Sequence, residues 1–122
     1  MKTLSINTRP TPDADPIDIE INLNNLDFAF KAPLQPWLLS LPGATFSVET
    51  LDESKLAAAG LVPFDVPEGT TAYVGPKNVI GYLTPQLGTY VIVFNGSRIG
   101  VKATSEELKT KLGVESGLVL GG

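Results

Sequence analysis

The stretch TYVIVFNGSRIGVKA, residues 89–103, restricts the fold more than any other part of the chain. Asn95-Gly96 between two apolar-rich arms is the strongest short-range signal for a β-hairpin. A two-residue turn there pairs Phe94 with Ser97, Ile92 with Ile99 and Tyr90 with Val101 on one face. On the other face Val93 meets Arg98 and Val91 meets Gly100. The first arm is apolar at every position from Tyr90 to Phe94, so it is expected to lie centrally with both faces covered. The second arm alternates, with Arg98 and Lys102 as charged guards of an edge strand. Val91 and Val93 need a cover: a helix, a second sheet layer or another subunit.

The rest of the chain carries similar signals. IDIEINL, residues 17–23, alternates with period two, as a half-buried strand does. Beyond Asn24-Asn25 the apolar parity switches to Leu26, Phe28 and Phe30. A hairpin at the Asn pair accounts for the switch by placing Leu23 with Leu26, Ile21 with Phe28 and Ile19 with Phe30. Short strands are expected near 61–66, 70–74, 79–83 and 90–94, with Pro- and Gly-bearing turns between them. Two short helices are expected. One spans about 51–59, with a Thr50-x-x-Glu53 capping box and Gly60 as C-cap; the other spans about 105–112, capped by Thr104-x-x-Glu107. The fold class is therefore α+β, mostly β: a compact antiparallel sheet, small barrel or sandwich of about 6–8 short strands with two short helices.

At 122 residues the chain is one domain by length. Three segments are expected: an extended Pro-rich arm (1–16), a β-rich globular domain (17–113) and an apolar tail (114–122). Pro10, Pro12 and Pro16 keep the arm out of helix, leaving it either a loose tail or an arm lying on a neighbouring subunit. KAPLQPWLLSLPG, residues 31–43, reads as a loop or a short helix begun at Pro36, plugging the core or offering an apolar knob to a partner.

Chemistry is excluded more readily than assigned. There is no His and no Cys, so imidazole bases, thiolates and the usual zinc ligands are absent. No phosphate-cradling or nucleophile-elbow motif occurs. Asp13, Asp15, Asp18 and Glu20 form the largest acidic cluster, but their spacing does not register with a calcium loop. Asp27, Asp65 and Glu68 sit beside apolar residues, where burial raises a carboxyl pKa; they are the basis for a third reading as a carboxylate-only hydrolase. No catalytic residue, cofactor or metal is expected, and the chain is read as non-enzymatic. Net charge is −4, there is no basic run, and the arginines are Arg9 and Arg98 alone. On that basis no nucleic-acid partner is expected. No apolar run suits a signal peptide or a membrane span, so the expected location is a virion or the cytoplasm.

Apolar residues make up 43% and charged residues 18% of the chain, an excess of apolar surface for so small a volume. Leu4, Ile6, Pro10, Pro12, Trp37, Leu38, Leu39, Leu118, Val119 and Leu120 are the candidates for covering that excess against another chain. The profile resembles small accessory proteins of bacteriophage virions, such as capsid decoration proteins or tail components. The resemblance implies a structural, homo-oligomeric role, with a trimer as the candidate form, bridging subunits of a larger assembly such as a capsid. The alternative is a small β-barrel binding a ligand or peptide, with Tyr73, Tyr82 and Tyr90 lining its pocket.

Overall fold

A computed structural model describes residues 3–9, 11, 13–67, 70–86 and 89–112 of the chain. Ten strands run in the order β1 (Thr3–Thr8), β2 (Ile17–Asn22), β3 (Phe28–Lys31), β4 (Trp37–Leu41), β5 (Ala44–Val48), β6 (Val62–Asp65), β7 (Thr71–Val74), β8 (Gly81–Gln86), β9 (Thr89–Val93) and β10 (Arg98–Lys102). Helix α1 (Glu53–Ala58) follows β5, and α2 (Ser105–Leu112) follows β10. The class is α+β, mostly β, and all pairing is antiparallel.

β1 and β2 form a separate two-stranded sheet; the other eight run β5-β4-β3-β7-β6-β10-β9-β8. That ribbon is not flat. β3 and β9 are four places apart in it, which in a flat sheet is about 19 Å. Yet the rings of Phe28 and Phe94 lie 5.7 Å apart. The ribbon folds where β6 meets β10, because those strands share one paired position, Lys102 with Asp65. β8, β9 and β10 thus close over the inner five strands as a sandwich.

Two cores result, one on each side of those five strands. One holds Phe28, Phe64, Ala72 and Val74 against Tyr82, Ile92, Phe94, Ile99 and Val101, and is sealed by Leu108 and Leu112 of α2. The other holds Ala29, Trp37, Leu39 and Val48 against Leu4, Ile6 and Ile21 of the small sheet and Leu56 of α1. The middle layer is therefore apolar on both faces, as strands covered on both sides must be.

The Asn95-Gly96 hairpin has the expected register: Val93 faces Arg98, Ile92 faces Ile99, and Val91 faces Gly100. The Phe94 N–H donates to the Ser97 carbonyl at 2.8 Å, and Gly96 takes φ +101°. Helix α2 begins with the expected Thr104 cap, whose Oγ accepts from the Glu107 N–H at 3.1 Å.

Several expectations are corrected. β2 pairs with β1, not β3; Leu4 faces Ile21 and Ile6 faces Ile19. The Asn pair lies in a 3-10 turn, Leu23–Asn25, that carries the chain from one layer to the next. The parity switch reflects a change of layer, because Phe28 belongs to the opposite core from Ile21. Residues 3–8 are a strand of the body and not a free arm, because β2 offers them a full edge to pair with. Residues 37–41 form β4 and not a helix; flanked by β3 and β5, they gain ladder hydrogen bonds on both edges. β10 is interior, and the outer strands of the ribbon are β5 and β8. Helix α1 starts two residues later than expected, capped by Asp52 through the Ser54 N–H at 3.1 Å.

Candidate functional site

The proposed contact residues do not form an exposed patch. Leu4, Ile6, Trp37 and Leu39 are buried within the chain's own second core, and Leu38 is half-buried opposite Phe30. Trp37 packs on Tyr73 with ring centroids 6.4 Å apart. These side chains are shielded by neighbours distant in sequence, so they supply no docking surface. Pro10, Pro12, Leu118, Val119 and Leu120 lie outside the described residues. The tyrosines do not line a common pocket either: Tyr82 and Tyr90 meet edge-on at 5.6 Å in the first core, and Tyr73 packs in the second.

What the tertiary structure does gather is one set of loops. The ends of β3, β4, β7 and β9 bring together segments 23–27, 41–44, 75–80 and 94–97. Among the described residues, Asp27 is the one carboxylate in these loops, and its side chain is buried at 2% exposure. The exposed side chains there include Asn24, Asn25, Lys77 and Asn95, with Arg98 at the first position of β10. Helix α2 runs back against the Pro76–Asn78 turn, with Lys109 and Lys111 in its last turn. In a chain of 13 acidic and 9 basic residues, these loops are amide-rich and their exposed charges, Lys77 and the adjoining Arg98, are positive, whereas α2 carries Glu106 and Glu107 beside its lysines.

The loops are stitched together by backbone and amide bonds. Asp27 donates its N–H to the Ser40 carbonyl at 2.8 Å and accepts from the Gly75 N–H at 2.8 Å. The Asn78 side-chain amide donates to the carbonyls of Asn24, at 2.9 Å, and Leu26, at 3.2 Å. Gly75 is required by the close approach: a Cβ there would collide with the Leu26 carbonyl oxygen. Between Asn24, Gly60, Pro76 and Lys77 lies a cleft of about 30 Å³, space for roughly one water molecule.

The Ser97 hydroxyl donates to the Asp27 carboxylate at 3.2 Å. Burial pushes the Asp27 carboxyl above its usual 3.8, and the Ser97 bond opposes that in part. A serine–carboxylate pair without an imidazole lacks the base that activates a hydroxyl, and the chain has no His. Of the other carboxylates singled out, Asp65 is exposed and Glu68 lies outside the described residues. Asp18 and Glu20 accept from Asn7 and Thr3 across the small sheet, at 2.8 Å each. Among the described residues no group of three or more potential metal ligands is found. A larger groove of about 720 Å³ runs along β1 and β5. Arg9 on its wall is already bound to the Ala14 carbonyl at 3.0 Å. No described helix is long and apolar enough to cross a membrane.

No protein-family model and no curated protein matches the chain. Its fold is similar to that of a solved structure, the LytTr DNA-binding domain of a response regulator from Bacillus cereus. The TM-score is 0.59, over 90% of this chain and 97% of that one, at 10% identity. That likeness shows a common fold and corrects two expectations. The reading as a virion building block of a capsid or tail, homo-oligomeric through apolar arms, falls: the fold is shared with a DNA-binding domain, and four of the five supposed contact residues among those described are core. The exclusion of a nucleic-acid partner falls with it. It rested on the lack of a basic run in the sequence, and loops far apart in sequence can meet in space.

Proposed function

We propose that this chain is a non-catalytic DNA-binding module whose contact surface is the loop end carrying Asn24, Asn25, Lys77, Asn95 and Arg98. The observation that carries the reading is the lack of exposed acidic residues among the described residues of these loops, in a molecule of net charge −4. Phosphates are repelled by carboxylates and drawn to Lys and Arg, so only a surface free of acids can approach a duplex. Exposed amides suit the rest of the task, since Asn offers a donor and an acceptor side by side to base edges and phosphates. The name of the Bacillus cereus neighbour lends support, because its fold is the same over nearly the whole length.

The cation count sets the expected strength. Lys77 and Arg98 lie at the loops, and Lys109 is on α2, the helix that contacts the Pro76–Asn78 turn. Two or three phosphate contacts give a log–log salt slope of about −2 to −3 for duplex DNA. The test is a fluorescence-anisotropy titration of labelled duplex DNA at several salt concentrations. Lys77→Ala and Arg98→Ala should each weaken binding and reduce the slope by about one. Lys31→Ala, at the opposite end of β3, should leave both unchanged. Equal losses for all three variants, or no binding by the wild-type chain at low salt, would overturn the reading.

A further inference from the structure

We infer that Asp27 is a positioning residue for the loop end, holding turn 94–97 in register with segments 23–27 and 75–80. The inference rests on the DNA-binding reading and extends it to how the contact surface is assembled.

Turn 94–97 carries Asn95 and leads into Arg98, the first residue of β10, yet its tip has few contacts of its own. Asn95 and Gly96 are exposed, and nothing lies within 4 Å of where a Cβ on Gly96 would stand. The closing bond, from the Phe94 N–H to the Ser97 carbonyl, is internal to the turn. Among the described residues, the side-chain hydrogen bond that joins this turn to another loop is the one from Ser97 to Asp27. Asp27 is an unusually firm mount. Its N–H and carbonyl are both engaged at 2.8 Å, to Ser40 on β4 and Gly75 beyond β7, so its backbone is tied on two sides.

A buried carboxylate is also a costly way to fill this place. Desolvation disfavours its charged form, and an apolar residue would pack there without that penalty. What the carboxylate provides is an acceptor for the Ser97 hydroxyl, 3.2 Å away across 70 residues of sequence. Lys77 and Asn78 follow Gly75 directly, and Asn24 and Asn25 precede Asp27. One side chain therefore sets the spacing between the turn leading into Arg98 and the two loops bearing the other exposed polar groups.

The experiment uses the full chain and the variants Ser97→Ala, Ser97→Thr and Asp27→Ala. Backbone amide relaxation without DNA reports on the turn itself, and anisotropy titration with duplex DNA reports on the surface. Ser97→Ala should increase motion at residues 95–97 while β9 and β10 stay rigid. It should weaken DNA binding about tenfold, the loss of one well-placed hydrogen bond's worth of pre-organisation, with an unchanged salt slope because no cation is removed. Ser97→Thr should recover both, and Asp27→Ala should reproduce Ser97→Ala. Unchanged relaxation in Ser97→Ala overturns the inference, as does a loosened turn with undiminished affinity. If the wild-type chain binds no duplex, the DNA reading fails, while the relaxation arm still decides whether Asp27 holds the turn.

Discussion

Ser97 and Asp27, 70 residues apart, meet at 3.2 Å, with the serine hydroxyl donating to a buried carboxylate. The bond spans the two halves of the sandwich, from the loop before β3 to the turn after β9. Because burial raises the Asp27 pKa, the folded chain binds this proton more tightly than the unfolded chain does. The stability it contributes is complete below the ordinary value near 3.8 and is lost as pH rises through the raised folded value. Asp27→Asn removes the titration and keeps an acceptor for Ser97. Urea unfolding from pH 3 to 7 should show the variant gaining on the wild type as pH rises. A pH-independent difference would contradict this sign.

Gly75 is expected to tolerate no side chain. Its φ of −82° is open to any residue, so the restriction is purely one of space against the Leu26 carbonyl. Gly75→Ala should cost about 2–4 kcal/mol, in the range of core overpacking and backbone displacement. Gly100→Ala is the control: nothing stands within 4 Å of its added methyl, and its effect should stay within about 0.5 kcal/mol. Chemical denaturation of both variants checks the contrast.

Placing an acid on the loop end should damage binding without touching the fold. Asn95 is exposed in the hairpin turn without a positive φ, and Asp is a common turn residue of nearly the same size. Asn95→Asp should lower duplex affinity several-fold at low salt and less at high salt, as a screened repulsion does. The same added charge at exposed Gln35 on the β3–β4 connection, at the opposite end of β3, Gln35→Glu, should leave affinity unchanged.

Leu34 sits at the tip of the β3–β4 connection with φ +61°, and its side chain is 100% exposed. A leucine in left-handed backbone carries about 1–2 kcal/mol of strain and here gains no burial in return. Leu34→Asn or Leu34→Gly should therefore raise the melting temperature, by several degrees for a chain of this size. A fall in melting temperature would show that Leu34 packs in a way its exposure denies.

Lys111 caps the fold line of the ribbon. Its ammonium donates to the Pro63 carbonyl at 2.6 Å and lies 4.9 Å from the centre of the Phe64 ring. Its partner Glu107 is a further 4.0 Å contact, on the helix surface. Lys111→Met should destabilise by about 1–2 kcal/mol through loss of the carbonyl and ring contacts. Glu107→Gln should cost only a few tenths through the exposed ion pair. Thermal melts of the two variants separate the contributions.

Local signals were legible where the physics is local. Asn-Gly marks a hairpin because Gly96 takes the positive φ the turn needs at no steric cost, and the 89–103 register follows from it. Thr104-x-x-Glu107 caps a helix within one turn of chain, and α2 forms there. The parity switch at Asn24-Asn25 was visible but ambiguous, since a tight hairpin and a change of layer shift the apolar phase alike. Trp37 and Leu39 looked like surplus grease because a sequence does not display what will cover them. Leu4 and Ile6 of β1 and Leu56 of α1 arrive from two separate elements to do so.

By itself the sequence determined a β-rich, antiparallel domain, its last hairpin and its final helix, because turn chemistry, alternation and capping act over a few residues. The tertiary structure alone decided the fold at β6–β10, the two cores, and the meeting of Asn24, Lys77, Asn95 and Arg98 beside a buried Asp27. Those contacts join residues up to 70 positions apart, and their energy comes from burying faces against partners that no short window contains.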